Sequence, residues 1–277
     1  MQVGEPSRTA MAVARARAHH QVADEPRVFT DPLASRIVGE TALGADEFDR
    51  GVDEDLARRR RLFIAARSRF ADDVVAAAVA RGTGQVVVLG AGLDTSAYRN
   101  THENVRFFEV DHPDTQEWKR RRLAETGIAV PPSLTFAPID FEQSTLAAGL
   151  AAAGLDRTRD AVFLWLGVAV YLTRTSVDDT LRYIAGHGAA AEVVFDYVYP
   201  LSDAPGDGRR ARADRVAAVG EPWISFFTAE EIRSALLSFG FTRVEDHTAT
   251  ELLSGYGVAT TAWPADSVPH LVHASTV

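Results

Sequence analysis

Two glycines that directly follow an apolar segment are the residues of this chain best suited to binding a ligand. Residues 86–89 read as a short buried strand, and Gly90-Ala91-Gly92 come immediately after it. Glycine has no Cβ, so the backbone can turn tightly and a ligand can approach the main chain closely. The dinucleotide fingerprint requires a third glycine, but here Leu93-Asp94-Thr95 follow Gly92.

An acidic side chain in this turn restricts the ligand further. Asp94 lies where a pyrophosphate would need helix-terminal N–H groups and no neighbouring anion. The turn is therefore predicted to bind a nucleoside without phosphates, and S-adenosylmethionine is the commonest ligand of that kind. A nucleotide-dependent oxidoreductase is the alternative, which both Asp94 and the missing third glycine disfavour.

Polar residues at the next strand ends complete the predicted site, because ligands of open α/β sheets bind at the carboxyl ends of the strands. Asp111 lies nearer the strand tip than Glu109 and is predicted to accept hydrogen bonds from the two ribose hydroxyls. Asp140 is placed to accept from the adenine amino group, with Phe141 packing on the ring. Gly167 would let the chain pass close to the ligand.

Each acid also has a purely structural interpretation. Asp111 could cap a helix beginning near Asp114, and Asp140 could cap the helix predicted at 144–153. The coincidence of glycines at the first strand end with acids at the second and third favours a joint cofactor site.

Strand and helix patterns alternate from residue 85 onward. This alternation predicts an α/β protein with a mostly parallel sheet and helices on both faces. The predicted strands cover 85–89, 105–110, 134–138, 161–166, 192–197 and 242–246, and the predicted helices cover 114–126, 144–153, 176–186 and 228–239. Residues 270–274 are predicted to form a last, edge strand.

The part of the chain before this alternation contains no strand pattern. Helical patterns at 7–20 and 53–80, and a start signal at Thr30-Asp31-Pro32, predict that residues 1–84 form an N-terminal helical cap packed on the core. Residues 85–277 are then the cofactor-binding α/β core, with a lid insertion around 200–227 in the same structural domain.

The composition limits the classes of function. The chain has 277 residues, a formal net charge of −9 and no cysteine. The acidic balance argues against a general nucleic-acid binder, and the lack of cysteine excludes disulfides and thiolate metal sites, so no metal is expected. The chain shows no secretory signal and no run of about 18 apolar residues, so a cytoplasmic protein without membrane contact is expected.

Three segments of the chain closely resemble the leucine carboxyl methyltransferase family, in particular its bacterial branch of S-adenosylmethionine-dependent methyltransferases. They are Gly-Ala-Gly-Leu-Asp-Thr at 90–95, Phe-Glu-Val-Asp-His-Pro at 108–113 and Lys-Arg-Arg-Arg-Leu at 119–123. The resemblance covers the chain from Thr9 to about Ala274. It implies a class I methyltransferase-like Rossmann fold with a seven-stranded sheet.

The resemblance also implies roles for individual residues. Arg67 matches the arginine that binds the methionine carboxylate of the cofactor, and an arginine fork suits a carboxylate. Asp111 matches the ribose-binding acid, and Asp140 with Phe141 matches the pair that frames adenine. The cofactor-binding set expected here is Arg67, Gly90, Ala91, Gly92, Asp111, Asp140, Phe141, Leu166 and Gly167.

Two positions depart from the family pattern. Leu166 stands where many relatives carry a glutamate, and Ser96 stands where many carry an arginine. These departures motivate an alternative in which the chain binds the cofactor without transferring a methyl group.

The leading hypothesis is methyl transfer to an oxygen of a small-molecule acceptor, either a carboxylate or a hydroxyl. No Ser-His-Asp arrangement is visible, so no catalytic residue is assigned. Tyr171, Tyr197, Tyr199 and Trp223 fall at or after strand ends and are candidates for a substrate pocket, because pockets favour aromatic side chains. Core or lid packing is the alternative role for these four.

Overall fold

A seven-stranded sheet organises the computed structural model, which describes residues 7–39, 48, 52–140, 143–201, 208–259 and 265–277. The strands are β1 Gln85–Leu89, β2 Arg106–Asp111, β3 Leu134–Pro138, β4 Ala161–Trp165, β5 Ala191–Tyr197, β6 Arg243–Thr248 and β7 His270–Ser275. The helices are α1 Arg8–Ala23, α2 Ala34–Val38, α3 Glu54–Ala80, α4 Ser96–Arg99, α5 Pro113–Glu125, α6 Leu146–Ala152, α7 Arg174–Ala185, α8 Gly208–Ala217, α9 Ala229–Phe239 and α10 Ala249–Gly255.

The strand order creates a crevice above β1. The order across the sheet is β3-β2-β1-β4-β5-β7-β6, and the first five strands in the chain run parallel. The chain therefore leaves β1 toward β2 on one side and returns as β4 on the other. In such sheets the ligand crevice lies at this reversal, outside the carboxyl ends of the strands. The predicted mostly parallel sheet is confirmed.

Helices cover both faces of the sheet, and β1 shows why its sequence is apolar throughout. Val86 and Val88 pack in one buried cluster with residues of α3 and α10, while Val87 and Leu89 pack in a second cluster with residues of α6, α7 and α9. Successive side chains of a strand point to opposite faces, so a strand covered on both faces must be apolar at every position.

Helix α3 connects the N-terminal segment to the sheet. Asp53 caps its first turn by accepting from the backbone N–H groups of Asp55 and Leu56. Along its length α3 packs against α1 and also joins the buried cluster on the sheet. This course brings Arg67, in the middle of the helix, to the carboxyl ends of β4 and β5.

The sequence predicts that the last strand lies at the edge of the sheet, and this prediction is wrong. β7 pairs antiparallel with both β5 and β6, and β6 forms the edge. The physical reason is burial: β7 is buried at most positions, whereas β6 carries Arg243, Glu245 and Asp246 and is partly exposed along its length. Within the described ranges, no helix is both long enough and apolar enough to cross a membrane.

Candidate active site

A cavity of about 930 Å³ opens at the carboxyl ends of β1 and β4. Its wall contains the glycine turn after β1, Asp111 at the end of β2, Asp140 after β3 and Gly167 after β4. This volume is within the range of about 300–1,000 Å³ that is typical of small-molecule sites. The strand ends singled out by the sequence therefore meet in one cavity.

The glycine turn depends on the lack of a side chain at Gly90. Its φ is +64°, and a Cβ placed there would lie 2.5 Å from Cγ2 of Val168. The turn is tied to β2, because Ala91 N donates to the carbonyl oxygen of Val110 at 3.0 Å. Gly92 N donates to Oδ2 of Asp111 at 2.5 Å. The backbone of the turn is thus fixed before any ligand arrives.

Asp111 serves the turn and keeps capacity for a ligand. Its Oδ1 accepts from His112 N at 2.7 Å, while Oδ2 accepts from Gly92 N. Burial raises the pKa of Asp111, and the hydrogen bonds from Gly92 and His112 offset part of that rise. Each carboxylate oxygen can accept a second hydrogen bond, so a pair of hydroxyls could still be bound. The helix that follows is capped by His112, whose side chain accepts from Asp114 N, and not by Asp111.

Glu109 is withdrawn from the cavity by a buried ion pair. Lys119 Nζ lies 2.8 Å from Oε2 of Glu109, and both side chains are almost fully buried. Glu109 is absent from the cavity wall over the described residues. Of the two carboxylates in β2, Asp111 is therefore the one that lines the cavity.

Asp94 places a negative charge in the cavity wall. Burial alone would raise the pKa of Asp94, but the charges of Arg17 and Lys119 and the hydrogen bond from Ser96 outweigh it and lower the pKa. Both the backbone N–H and the hydroxyl of Ser96 donate to Oδ1 of Asp94. Ser96 therefore holds the Asp94 carboxylate in place, and the charge of Asp94 disfavours a phosphate nearby.

Arg67 is held by a carboxylate that the sequence analysis did not identify. Arg67 Nη1 lies 2.6 Å from Oδ2 of Asp196, and Gly167 N donates to Oδ1 of the same carboxylate at 2.6 Å. Gly167 has a φ of +73°, and a Cβ there would lie 3.0 Å from Arg67 Nη2. Asp196 could have been found, because it is an acid next to the carboxyl end of its strand, as Asp111 is in β2.

Of the remaining residues predicted to bind the cofactor, two line the cavity and one lies outside the described residues. Leu166 lines the cavity and is partly buried. Asp140 also lines it, and its Oδ2 accepts from Gln143 Nε2 at 2.6 Å. Asp140 does not cap the next helix, where Thr145 is the N-cap. Phe141 lies outside the described residues.

Two of the four aromatic residues proposed for a substrate pocket are placed away from the cavities. Tyr197, the last residue of β5, is buried, and its hydroxyl donates a hydrogen bond to Oδ2 of Asp246 at 2.7 Å. Tyr199 stacks beside Tyr197, and its hydroxyl accepts from Ala229 N at 3.3 Å. Both residues have the packing role that was the alternative to a substrate pocket. Their rings and hydroxyls contact neighbouring strands and α9.

Tyr171 and Trp223 both line a second, smaller cavity. This cavity of about 210 Å³ adjoins the larger cavity, sharing Val13, Arg67, Gly167 and Tyr171 with it. Apolar residues from α3 and α10 and arginines from α3 and α8 form much of its wall. The arrangement provides a large cavity and a small one that meet at Arg67 and Gly167.

The N-terminus of α1 is fastened across the larger cavity by Glu221. Its Oε1 accepts from Arg8 N at 2.8 Å, and its Oε2 accepts from Ser7 Oγ at 2.8 Å and Thr9 N at 3.2 Å. Ser7, Thr9 and Glu221 all line the cavity. A carboxylate at a helix N-terminus also meets the positive end of the helix dipole. The sequence had given no indication of Glu221.

Comparison with protein families gives one match over most of the chain. The model of the family described as "Leucine carboxyl methyltransferase" matches residues 10–185, which include α1 to α7. A curated relative from Bacillus subtilis, "Putative S-adenosyl-L-methionine-dependent methyltransferase YktD", is 30% identical over 267 residues. That alignment covers 87% of this chain and 88% of the relative.

Solved structures show the same fold at low sequence identity. A DUF574 family protein from Streptomyces avermitilis is 14% identical with a TM-score of 0.60, covering 94% of this chain and 95% of the other. Magnesium protoporphyrin IX methyltransferase from Synechocystis, solved with bound S-adenosylmethionine, is 14% identical with a TM-score of 0.50, covering 88% of this chain and 89% of the other. The expected class I methyltransferase-like fold is confirmed.

Proposed function

The chain belongs to the leucine carboxyl methyltransferase family, and on that premise we propose that it is an S-adenosylmethionine-dependent enzyme that methylates an oxygen of a small molecule. The acceptor group is a carboxylate or a hydroxyl. The observation that carries the proposal is the meeting of the glycine turn, Asp111, Asp140 and Gly167 in one cavity.

The cavity wall fits this cofactor in charge as well as in size. Asp111 keeps lone pairs for the ribose hydroxyls, and Asp140 is the acceptor assigned to the adenine amino group. Asp94 adds negative charge next to the turn, which suits a cationic nucleoside better than a nucleotide.

Arg67 retains donors for the carboxylate of the cofactor. Its Nη1 is committed to Asp196, but its Nε is buried and has no hydrogen-bond partner among the described residues. A guanidinium has five N–H groups, so one arginine can hold Asp196 and a second carboxylate. The buried Nε favours a bound acceptor group, because an unsatisfied buried donor costs about 1–3 kcal/mol.

When bound, S-adenosylmethionine supplies an already activated methyl group on a sulfonium, so the protein's task is alignment and exclusion of water. Glu221 closes the cavity at α1, and Arg67 and Gly167 form the junction with the second cavity, where the acceptor enters. A carboxylate acceptor is ionised near pH 7 and needs no general base.

The one histidine in the described wall of the larger cavity also favours an acceptor that is already ionised. Nδ1 of His112 accepts from Asp114 N at 3.3 Å, so this nitrogen caps α5 and is not available to receive a proton from an acceptor hydroxyl. A carboxylate acceptor is therefore the better supported of the two.

Calorimetric titration with S-adenosylmethionine and S-adenosylhomocysteine tests the proposal. We expect both to bind, and we expect Asp111→Asn to weaken binding about tenfold to 100-fold, since it removes charge-assisted hydrogen bonds worth about 1.5–3 kcal/mol. Glu103→Gln is the matched control, because Glu103 is exposed and lies outside both cavity walls.

Three results would contradict the proposal. Wild-type protein that binds neither compound would remove the cofactor assignment, and binding of NADH instead would favour the oxidoreductase alternative. Equal losses in Asp111→Asn and Glu103→Gln would show that the assigned cavity is not the binding site.

A further inference from the structure

The small cavity next to the cofactor cavity combines an apolar wall with clustered arginines. Helix α8 contributes Arg209, Arg212 and Arg215 to the wall, and α3 contributes Arg59 and Arg60. The α8 arginines are spaced three residues apart, which places them on one side of the helix. Among the described wall residues, Asp196 is the one carboxylate, and it is already bound to Arg67 and Gly167.

Buried donors of this wall other than Arg67 Nε also have no acceptor. Nε of Arg215 and Nε1 of Trp223 are inaccessible to solvent and have no hydrogen-bond partner within the part of the chain that the structure describes. Buried N–H groups are nearly always paired, and each unpaired one costs about 1–3 kcal/mol. Both residues line the small cavity, so a small rotation of their side chains would let an oxyanion inside it supply the missing acceptors.

The remainder of the wall is suited to a hydrocarbon body. Phe63, Ile64, Val170, Leu253 and Val268 contribute apolar side chains. Binding sites of this kind bury an apolar ligand and use a few polar groups to fix its orientation. An inorganic anion alone would leave this apolar wall without a partner.

We propose that the small cavity binds a small apolar molecule through an oxyanion group held by Arg215 and Trp223. The identification of this molecule as the methyl acceptor rests on the proposed function, whereas the binding itself does not. The α8 arginines do not line the cofactor cavity as described, so the anchoring oxyanion is a different group from the atom that receives the methyl. The receiving atom lies toward Arg67 and Gly167, where the cavities join.

Binding of simple acids to the whole protein tests this proposal without any turnover. The probes are phenylacetate, its neutral isostere phenylacetamide, benzylphosphonate and inorganic phosphate, each titrated with S-adenosylhomocysteine present and absent. We expect phenylacetate or benzylphosphonate to bind at least about tenfold more tightly than phenylacetamide and phosphate, a difference of about 1.4 kcal/mol. Whichever of the two acids binds more tightly shows whether the group is a carboxylate or a phosphoryl oxyanion.

Variants on one helix separate a specific contact from general charge. Arg215→Gln is expected to weaken binding of the preferred acid at least about tenfold, and Arg215→Lys is expected to retain part of the affinity. Arg210→Gln removes the same charge from the same helix, but Arg210 is not in the cavity wall, and we expect no change.

Neither acid binding at about 10 mM, or an amide that binds as well as the acid, would overturn the proposal. Equal losses in Arg215→Gln and Arg210→Gln would overturn it too. All variants are expected to bind S-adenosylhomocysteine with unchanged affinity. Failure of acid binding alongside normal S-adenosylhomocysteine binding is therefore distinct from failure of the proposed function.

Discussion

Asp196 positions two parts of the site at once. One of its oxygens holds Arg67 Nη1 and the other holds Gly167 N, each at 2.6 Å. Gly167 and Arg67 line both cavities, so this carboxylate fixes the junction between them. A buried arginine with one fixed nitrogen can present its other N–H groups in a defined direction, because the guanidinium is planar and rigid.

Gly167→Ala is expected to lower cofactor affinity through this contact. The new Cβ would lie 3.0 Å from Arg67 Nη2, and alanine at the φ of +73° adds strain of about 1–2 kcal/mol. Gly240→Ala is the matched control, because Gly240 also has a positive φ, of +108°, but a Cβ there meets nothing within 4 Å.

We therefore expect both glycine variants to lose stability in urea titrations, and only Gly167→Ala to lose affinity for S-adenosylhomocysteine by calorimetry. Unchanged affinity in Gly167→Ala would show that Arg67 does not contact the cofactor.

Strand ends are where the sequence identified site residues most readily. Gly90 and Asp111 could be predicted because they fall in a recognisable local pattern, and the cavity includes both. Asp196 and Glu221 act through partners more than 100 positions away, at Arg67 and at Ser7, and no local pattern encodes such contacts. Tyr197 is the reverse case, since its position after a strand suggested a pocket and its partner Asp246 keeps it in the core.

At the scale of elements, α1 and the segment before α9 are joined at the wall of the larger cavity. Glu221 is the contact between them, through Ser7 and the N–H groups of Arg8 and Thr9. Exchange of a bound cofactor requires an opening, and this contact connects two segments that lie outside the sheet. We therefore expect the contact between Glu221 and the start of α1 to act also as a closure.

Glu221→Ala is expected to loosen the start of α1. Loss of hydrogen bonds to a charged acceptor, worth about 1.5–3 kcal/mol, should speed amide exchange in the first turn about tenfold or more. Mass-spectrometric hydrogen exchange of a peptide from this turn, together with the dissociation rate of S-adenosylhomocysteine, gives the measurement. Glu230→Ala is the control, because Glu230 is exposed at the start of α9. Exchange that stays equal in the two variants would refute the closure role.

Most elements could be predicted from the sequence because their hydrophobic periods are strong. The strands 85–89 and 134–138 match the structure at both ends, and the long helix predicted at 53–80 forms as α3. The position of β7 could not be predicted, because strand order depends on pairing partners that are distant in sequence. Helix α2 begins at Ala34 and not at Pro32, since Asp31 first accepts from Leu33 N at 3.0 Å and forms a turn there.

At the scale of the whole molecule, His270 joins the three strands at one side of the sheet. It lies on β7, its Nδ1 is 2.9 Å from Asp246 Oδ1 on β6, and its ring packs on Tyr197 of β5. Nε2 lies 3.0 Å from the carbonyl oxygen of Ala265. With both nitrogens facing acceptors, the arrangement favours the protonated imidazolium. Burial would lower the pKa of His270, but the hydrogen bond and charge of Asp246 outweigh it and raise the pKa.

The raised pKa makes the stability of the fold depend on pH in a definite direction. The imidazolium contributes its full stabilisation below the unfolded pKa of about 6.5, and the contribution is lost as pH rises through the higher folded pKa. The destabilisation caused by His270→Gln should therefore be larger at pH 6 than at pH 9. Urea unfolding at both pH values measures it, with His102→Gln as the control because His102 lies in the loop between α4 and β2. A cost that is equal at both pH values would show that His270 is neutral when folded.

The two cavities are built from walls that can change independently. The cofactor cavity is made largely from strand ends, whereas Leu56, Arg215 and Trp223 line only the smaller cavity and lie on or near helices outside the sheet. Substitutions in those helices can alter the shape and charge of the smaller cavity without disturbing the strand ends. On the proposed function, the same scaffold can therefore acquire new acceptors during evolution, or by directed design, through a few helical positions. Such divergence is constrained at the positions that belong to both walls, which are Val13, Arg67, Gly167 and Tyr171.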